Sequence, residues 1–187
     1  VEANTPSFDA LILAGGRSSR LGGVPKQNLH FKGASLLQRS LAAAAAARRI
    51  VVVGPPELVP ESILSCREQP EFAGPAAAIA AGLDTLAAAG ADSEYTLVLA
   101  CDMPLVADAV SMLLASMAAG ERPGADAILA RTEDGTPDGR IQPLAGFYRT
   151  SALKKRVEDL AARGALINGS VRSLLASLDV QLVSVPA

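Results

Sequence analysis

The segment Leu13-Ala14-Gly15-Gly16-Arg17-Ser18-Ser19-Arg20-Leu21-Gly22-Gly23-Val24-Pro25-Lys26 holds four glycines and three cations directly after an apolar run. Glycines let backbone N–H groups approach anionic oxygens without a Cβ in the way. Arg20 can then grip a phosphate with its planar fork, and Lys26 can neutralise one as a point charge. The segment is not a Walker A loop, because no Gly-Lys-Ser/Thr follows, and it is not Gly-x-Gly-x-x-Gly. The plain alternative is a glycine-rich surface turn. A second chemical residue is Asp102, which follows the apolar run Leu97 to Cys101 and precedes Met103-Pro104. Mg²⁺ needs only one or two protein carboxylates when phosphates and water complete its shell. Asp102 suits that role, or it caps the helix that follows or accepts turn N–H bonds. Glu68 stands in Arg67-Glu68-Gln69-Pro70, shortly before Gly74-Pro75. It is either a solvated loop acid or a contact for a sugar hydroxyl or base. Asp138-Gly139-Arg140-Ile141-Gln142 reads as a hairpin flanking the same region, and His30 takes no proton-transfer role.

Positioning these residues requires a scaffold, and the punctuation of the chain describes one. Phe8 to Leu13, Ile50 to Val53, Ile63 to Cys66, Thr96 to Ala100, Ala125 to Ala130, Leu144 to Tyr148 and Val180 to Val185 read as strands, being short apolar or β-branched runs bounded by turn residues. Between them lie helix-type runs: Ala34 to Ala47 capped near Ser35, Gly74-Pro75 to about Ala89, Ala107 to Ala119 closed by Gly120, Ser151 to Ala162, and Val171 to Leu178. Such alternation predicts an α/β fold with a mostly parallel sheet and helices on both faces. Ligands in open sheets of this kind sit at the carboxyl ends of the strands. Leu13, Cys66, Ala100 and Ala130 are such ends, so the glycine-rich segment, Arg67-Glu68, Asp102 and the Arg131 loop are expected at the ligand crevice.

Composition narrows the function further. The chain has 187 residues, within the usual span of one domain, and no composition shift divides it. Half of the residues are hydrophobic and 19% are charged, which excludes a disordered chain. Lys plus Arg is 17 against 19 Asp plus Glu, with 3% aromatics, so neither a phosphate-backbone footprint nor a base-stacking platform is present. Two cysteines, Cys66 and Cys101, make no disulfide framework and are expected as buried thiols. No membrane span or secretory signal is evident, and a reducing cytoplasm is the expected setting. Arg48-Arg49 and Lys154-Lys155-Arg156 read as solvated helix ends.

Three motifs together carry a family resemblance. Leu-Ala-Gly-Gly-x-x-x-Arg-Leu-Gly-Gly-x-x-Lys over Leu13 to Lys26, Gly-Pro-Ala-Ala-Ala-Ile-Ala-Ala-Gly-Leu over Gly74 to Leu83, and Cys-Asp-Met-Pro over Cys101 to Pro104 resemble, in order, the signatures of the MobA-like nucleotidyltransferases. The resemblance runs from Asp9 to about Leu182. It implies a three-layer α/β/α Rossmann-like nucleotidyltransferase fold and transfer of GMP from GTP to molybdopterin, with release of pyrophosphate. It implies that Leu13, Ala14, Gly15 and Gly16 hold base and sugar. Lys26 and Arg20 would face the phosphates, Asp102 would hold Mg²⁺, and Glu68 would lie near the nucleotide. Gln142 and Arg172 fall in the half expected to face the pterin, and transient contact with molybdoenzymes or other cofactor-biosynthesis proteins is implied as well. In family usage Leu-Ala-Gly-Gly goes with guanine and Leu-Ala-Ala-Gly with cytosine. Many relatives also carry an Asn-x-Asn-Thr-Pro or Asp-x-Asp-Thr motif near the C-terminus. No such motif occurs up to Ala187, and the segment Gly164 to Ser170 departs from the familiar pterin-side sequence. A cytidylyl- or sugar-phosphate nucleotidyltransferase, and a non-catalytic nucleotide-binding domain, stay open as alternatives.

Overall fold

A computed structural model of the chain describes residues 6–14, 30–31, 34–56, 59–70, 73–103, 105–133 and 135–186. Its elements are β1 (Phe8–Leu13), β2 (His30–Phe31), β3 (Ala34–Ser35), α1 (Leu36–Ala43), β4 (Ile50–Val53), β5 (Leu64–Cys66), α2 (Pro75–Ala88), β6 (Tyr95–Ala100), α3 (Val106–Ala119), β7 (Ala127–Thr132), β8 (Arg140–Arg149), α4 (Thr150–Ala162), α5 (Val171–Leu175) and β9 (Val180–Val185). Seven strands form one sheet in the order β5-β4-β1-β6-β8-β7-β9, and β2 pairs with β3 apart from it. Neighbours run parallel except at β8, which is antiparallel to both β6 and β7.

The central strands are near-continuous apolar runs because both faces are covered. On one face Phe8, Ala10 and Ile12 of β1 join Leu97 and Leu99 of β6 and Leu113 of α3 in a core that α1 also enters through Leu37. On the other face Leu11 and Val98 pack with Ile79 of α2, Leu153 of α4 and Leu174 of α5. Helix α2 lies especially close to the sheet. A Cβ on Gly82 would stand 2.7 Å from Leu11 Cδ2 and 3.2 Å from Val53 Cγ2. The small side chains of α2 therefore serve close approach, which a bulkier helix would forbid.

Several expectations need correction. The first helix is shorter than the Ala-rich run suggested. Ala34 and Ser35 are taken by β3, and Ser35 caps α1 in a reciprocal box with Gln38. That box fixes the start, since the Ser35 hydroxyl accepts from the N–H of Gln38 while Gln38 accepts from Ser35 N. Strand β8 begins at Arg140 rather than Leu144, while the hairpin expected at Asp138 to Gln142 is present as the far end of the β7–β8 pair. The hairpin carries an irregularity: Leu129 pairs with Gly146 but Ala130 pairs with Gln142, leaving Pro143, Leu144 and Ala145 to bulge. The Tyr148 hydroxyl donates to the Pro143 carbonyl and fastens that bulge. Val171 to Leu178 is helical only as far as Leu175. Among the described residues no helix is long and apolar enough to cross a membrane.

Candidate functional site

The carboxyl ends of β5, β4, β1 and β6 lie side by side, and their last peptides are tied together. Gly54 N donates to Cys66 O (2.9 Å), Ala14 N to Val53 O (2.9 Å), and Cys101 N to Leu13 O (3.2 Å). The last bond matters most. It joins the point where the glycine-rich segment leaves β1 to the residue just before Asp102. Leu13 is half-buried and Ala14 is buried at this junction. Gly15, Gly16, Arg20 and Lys26 lie outside the described residues.

Asp102 itself is exposed, in the turn after β6. Its helix-capping alternative does not hold: α3 starts one turn later, its N-cap is Leu105, and no side chain caps it. Among the described residues no group of three or more His, Cys, Asp or Glu side chains is arranged to hold a metal. A single exposed carboxylate fits an ion whose remaining ligands come from phosphate oxygens and water, and it does not suit a closed all-protein site.

Glu68 is not a solvated loop acid. It is only 4% exposed, two residues past the end of β5. A carboxylate withdrawn from water so near the strand ends is expensive unless engaged, so this acid is part of the edge's built structure. Its charge is felt at Cys66. Burial pushes that thiol up from its ordinary range; the Thr85 hydroxyl opposes the shift, and Glu68 and Asp84 add to it. Cys66 is half-buried, whereas Cys101 is buried as expected, and neither forms a disulfide. Helix α2 opens on the same edge. Gly74 is its N-cap at φ +96°, Pro75 follows in the first turn, and neither a capping side chain nor an acid occupies that turn. A helix start with no side-chain cap and no acid in its first turn favours an anion through its dipole.

Gln142 stands across the β7–β8 hairpin, where its Nε2 donates to Thr132 Oγ1 (3.1 Å). Nearby Arg131 is committed to Ser184 Oγ (3.0 Å). Arg172 is exposed on α5. The topology therefore brings Leu13, Ala14, Glu68 and Asp102 to one edge, with α2 opening between them.

A family model described as the MobA-like NTP transferase domain matches residues 10–182. The chain belongs to the MobA-like NTP transferase family. The molybdenum cofactor guanylyltransferase of Ralstonia nicotianae is 33% identical over 75% of this chain and 70% of its own length. A probable molybdenum cofactor guanylyltransferase of Methanosarcina acetivorans is 33% identical over 80% of this chain and 67% of its own. Among solved structures, the molybdopterin-guanine dinucleotide biosynthesis protein A of Archaeoglobus fulgidus superposes with a TM-score of 0.64 at 23% identity, covering 94% of this chain and 83% of that one. The 2-C-methyl-D-erythritol 4-phosphate cytidylyltransferase of Thermus thermophilus reaches 0.63 at 20% identity, covering 95% and 88%. These two likenesses speak for the fold, the Rossmann-like α/β arrangement expected from the sequence.

Within this MobA-like domain some functional architecture has no signal in the local sequence. Arg156 reads as a solvated cation, yet its side chain is only 11% exposed. Its Nη2 donates to Ser173 O (2.8 Å), holding α5 against α4. The loop between those helices docks on the start of α2, where Asn168 N donates to Ala73 O. Neither contact is between sequence neighbours, so only the closed fold reveals them.

Proposed function

We propose that this protein is a molybdenum cofactor guanylyltransferase, transferring GMP from GTP to the terminal phosphate of molybdopterin and releasing pyrophosphate. The observation that carries the reading is the Leu13–Cys101 hydrogen bond, which sets the root of the glycine-rich segment beside Asp102 in a member of this family. An oxygen of the acceptor phosphate forms a bond to the α-phosphorus of GTP, and the bond from that phosphorus to the β-phosphate oxygen breaks. The attacking oxygen is already anionic, so no protein nucleophile is needed. Catalysis is positioning plus charge stabilisation. Leu13 and Ala14, with Gly15 and Gly16, would seat the base and sugar, and Glu68 would border that seat. Arg20 and Lys26 would bind the departing pyrophosphate oxygens. Asp102 would hold Mg²⁺ together with substrate phosphates; when bound, the ion supplies charge neutralisation at the reacting phosphates. The α2 start, without an acid in its first turn, would add the positive end of its dipole to the same edge.

Two cysteines in no disulfide suit a reducing cytoplasm, and the near-neutral composition suits small-molecule substrates over nucleic acid. Transient contact with molybdoenzymes, which would receive the product, belongs to the same reading. Pyrophosphate release measured with GTP, CTP, ATP and UTP, each with molybdopterin and Mg²⁺, tests it. Only GTP should support release. Asp102→Ala should lower that rate by about 10²–10³ with the fold retained, the usual effect of losing one well-placed electrostatic contact, and Lys26→Ala should do likewise. Preference for CTP would reassign the base. GTP binding without acceptor-dependent release would mark a non-catalytic domain.

A further inference from the structure

At the amino edge of the sheet, where β6 begins and the antiparallel β8 ends, a cleft of about 290 Å³ lies between residues 92–94 and the start of α4. β6 runs six residues from there to the carboxyl edge, about 20 Å at roughly 3.3 Å per residue, so the cleft is remote from Leu13, Ala14 and Asp102. Its walls are tied together. Thr150 N donates to Glu94 O (2.9 Å), and the hydroxyls of Thr150 and Thr96 share a hydrogen bond (2.9 Å). The Arg149 guanidinium donates to Tyr95 Oη (3.2 Å), Pro123 O (2.9 Å) and Glu94 Oε1 (3.3 Å). These contacts fix the first turn of α4 against the residues that lead into β6.

Other groups lining the cleft are not used by the fold. Helix α4 has 13 residues, no side chain caps it, and no acid lies in its first turn, so its dipole favours an anion there. Lys154, half-buried and one turn beyond Ser151, makes no hydrogen bond or ion pair among the described residues. The acids at the rim are already balanced: Asp92 pairs with Arg48 (3.5 Å) and Glu94 with Arg149 (3.3 Å), which leaves Lys154 as the cation in excess. Ser93 also lines the cleft. It is 4% exposed, and its buried Oγ has no hydrogen-bond partner among the described residues. A buried hydroxyl left unpaired is expensive. It swings on a single bond, so Ser93 can turn its donor toward an acceptor in the cleft.

We propose that this cleft is a binding site for a phosphate group, held between the α4 start, Ser151, Lys154 and Ser93. The helix dipole and Lys154 supply positive charge, and the two serine hydroxyls donate to phosphate oxygens. The volume stands at the small end of ligand pockets, which span roughly 300–1,000 Å³. It suits free phosphate or a small phosphomonoester and not a nucleotide. The site does not depend on the transferase reading, because none of its residues belongs to the edge assigned to GTP.

Amide nitrogen–proton correlation spectra of the full chain test this, titrated with inorganic phosphate or glycerol phosphate at an ionic strength held constant with chloride. Both ligands should give saturable shifts at the amides of Ser93, Ser151 and Ala152. Ser93→Ala should weaken binding about 10-fold or more, as for a hydrogen bond to a charged group. Lys154→Gln should weaken it about 2–5-fold, as for a partly exposed ion pair. Lys155→Gln, the same charge change at an exposed position of α4, should leave it unchanged. Tighter binding of glycerol phosphate identifies a phosphomonoester as the occupant, and equal or weaker binding identifies the free ion; either supports the site. Shifts that miss Ser93 and Ser151, that rise without saturating, or that persist undiminished in the Ser93 and Lys154 variants overturn it. In phosphate-free buffer Ser93→Ala should melt no lower than wild type, since it removes an unpaired hydroxyl. A fall of more than about 4 °C would show that the hydroxyl already serves the fold, and would overturn the proposal too.

Discussion

Replacing Gly146 by Ala should damage this protein far more than one methyl group suggests. Gly146 lies in β8, between Val98 of β6 and Leu129 of β7. A Cβ there would stand 2.4 Å from Leu129 Cδ2, 2.7 Å from the Ile128 carbonyl oxygen and 3.1 Å from Leu129 Cα. Comfortable separations are roughly 3.5–4.0 Å between carbons and about 3.3 Å from carbon to oxygen. Leu129 has 0% exposure, so its side chain has no free space to turn into. Two of the three contacts are backbone, so relief requires the β7–β8 ladder to part. Overpacking a core costs about 1–3 kcal/mol, and the backbone contacts place this site at about 3 kcal/mol. For a chain of this size each kcal/mol lowers Tm by about 2–4 °C, so a fall of about 6–12 °C is expected. Thermal melting followed by circular dichroism measures it. Gly124→Ala is the control, since nothing lies within 4 Å of its Cβ, and it should melt within about 2 °C of wild type. A Gly146→Ala protein that melts with the control would refute the packing argument, and with it the account of the bulge that sets Gln142 in place.

Further outcomes follow from the same physics. Tyr148→Phe leaves the Pro143 carbonyl without its donor, and urea unfolding should show a loss of about 1–2 kcal/mol. Burial holds the Tyr148 phenol well above its usual range, so in an alkaline absorbance titration its ionisation should coincide with unfolding. The Cys66 thiol is raised chiefly by burial. At pH 8 iodoacetamide should therefore label it more slowly in the native protein than in urea. The raised value makes Cys66 favour the native state below the unfolded thiol's pKa, and that share of stability should be lost as pH climbs through the folded value. Arg156→Met keeps the buried stem but removes the grip on Ser173 O. It should cost about 1.5–3 kcal/mol by urea titration, and limited proteolysis should cut first near α5.

The parts of this protein that depend on neighbouring residues were legible in the chain. Strand ends at Leu13, Val53 and Ala100 follow from apolar runs meeting glycine or a polar turn, and α2 and α3 follow from Gly74-Pro75 and Gly120. The glycine-rich segment and Asp102 stand out in the chain because they are the residue types that phosphate chemistry uses at strand ends. Contacts distant in sequence were not legible. Arg156 and Glu68 look like any charged surface residue until helices and strands close over them, since burial is a property of the packed neighbours. The reversal of β8 and its bulge depend on pairing with both β6 and β7, which no local pattern encodes. The latch of Asn168 on Ala73 joins residues 95 positions apart. Local backbone preference thus determined the elements and the chemical inventory, while only long-range packing decided which of those groups are buried, which are held, and which are brought to one edge of the sheet.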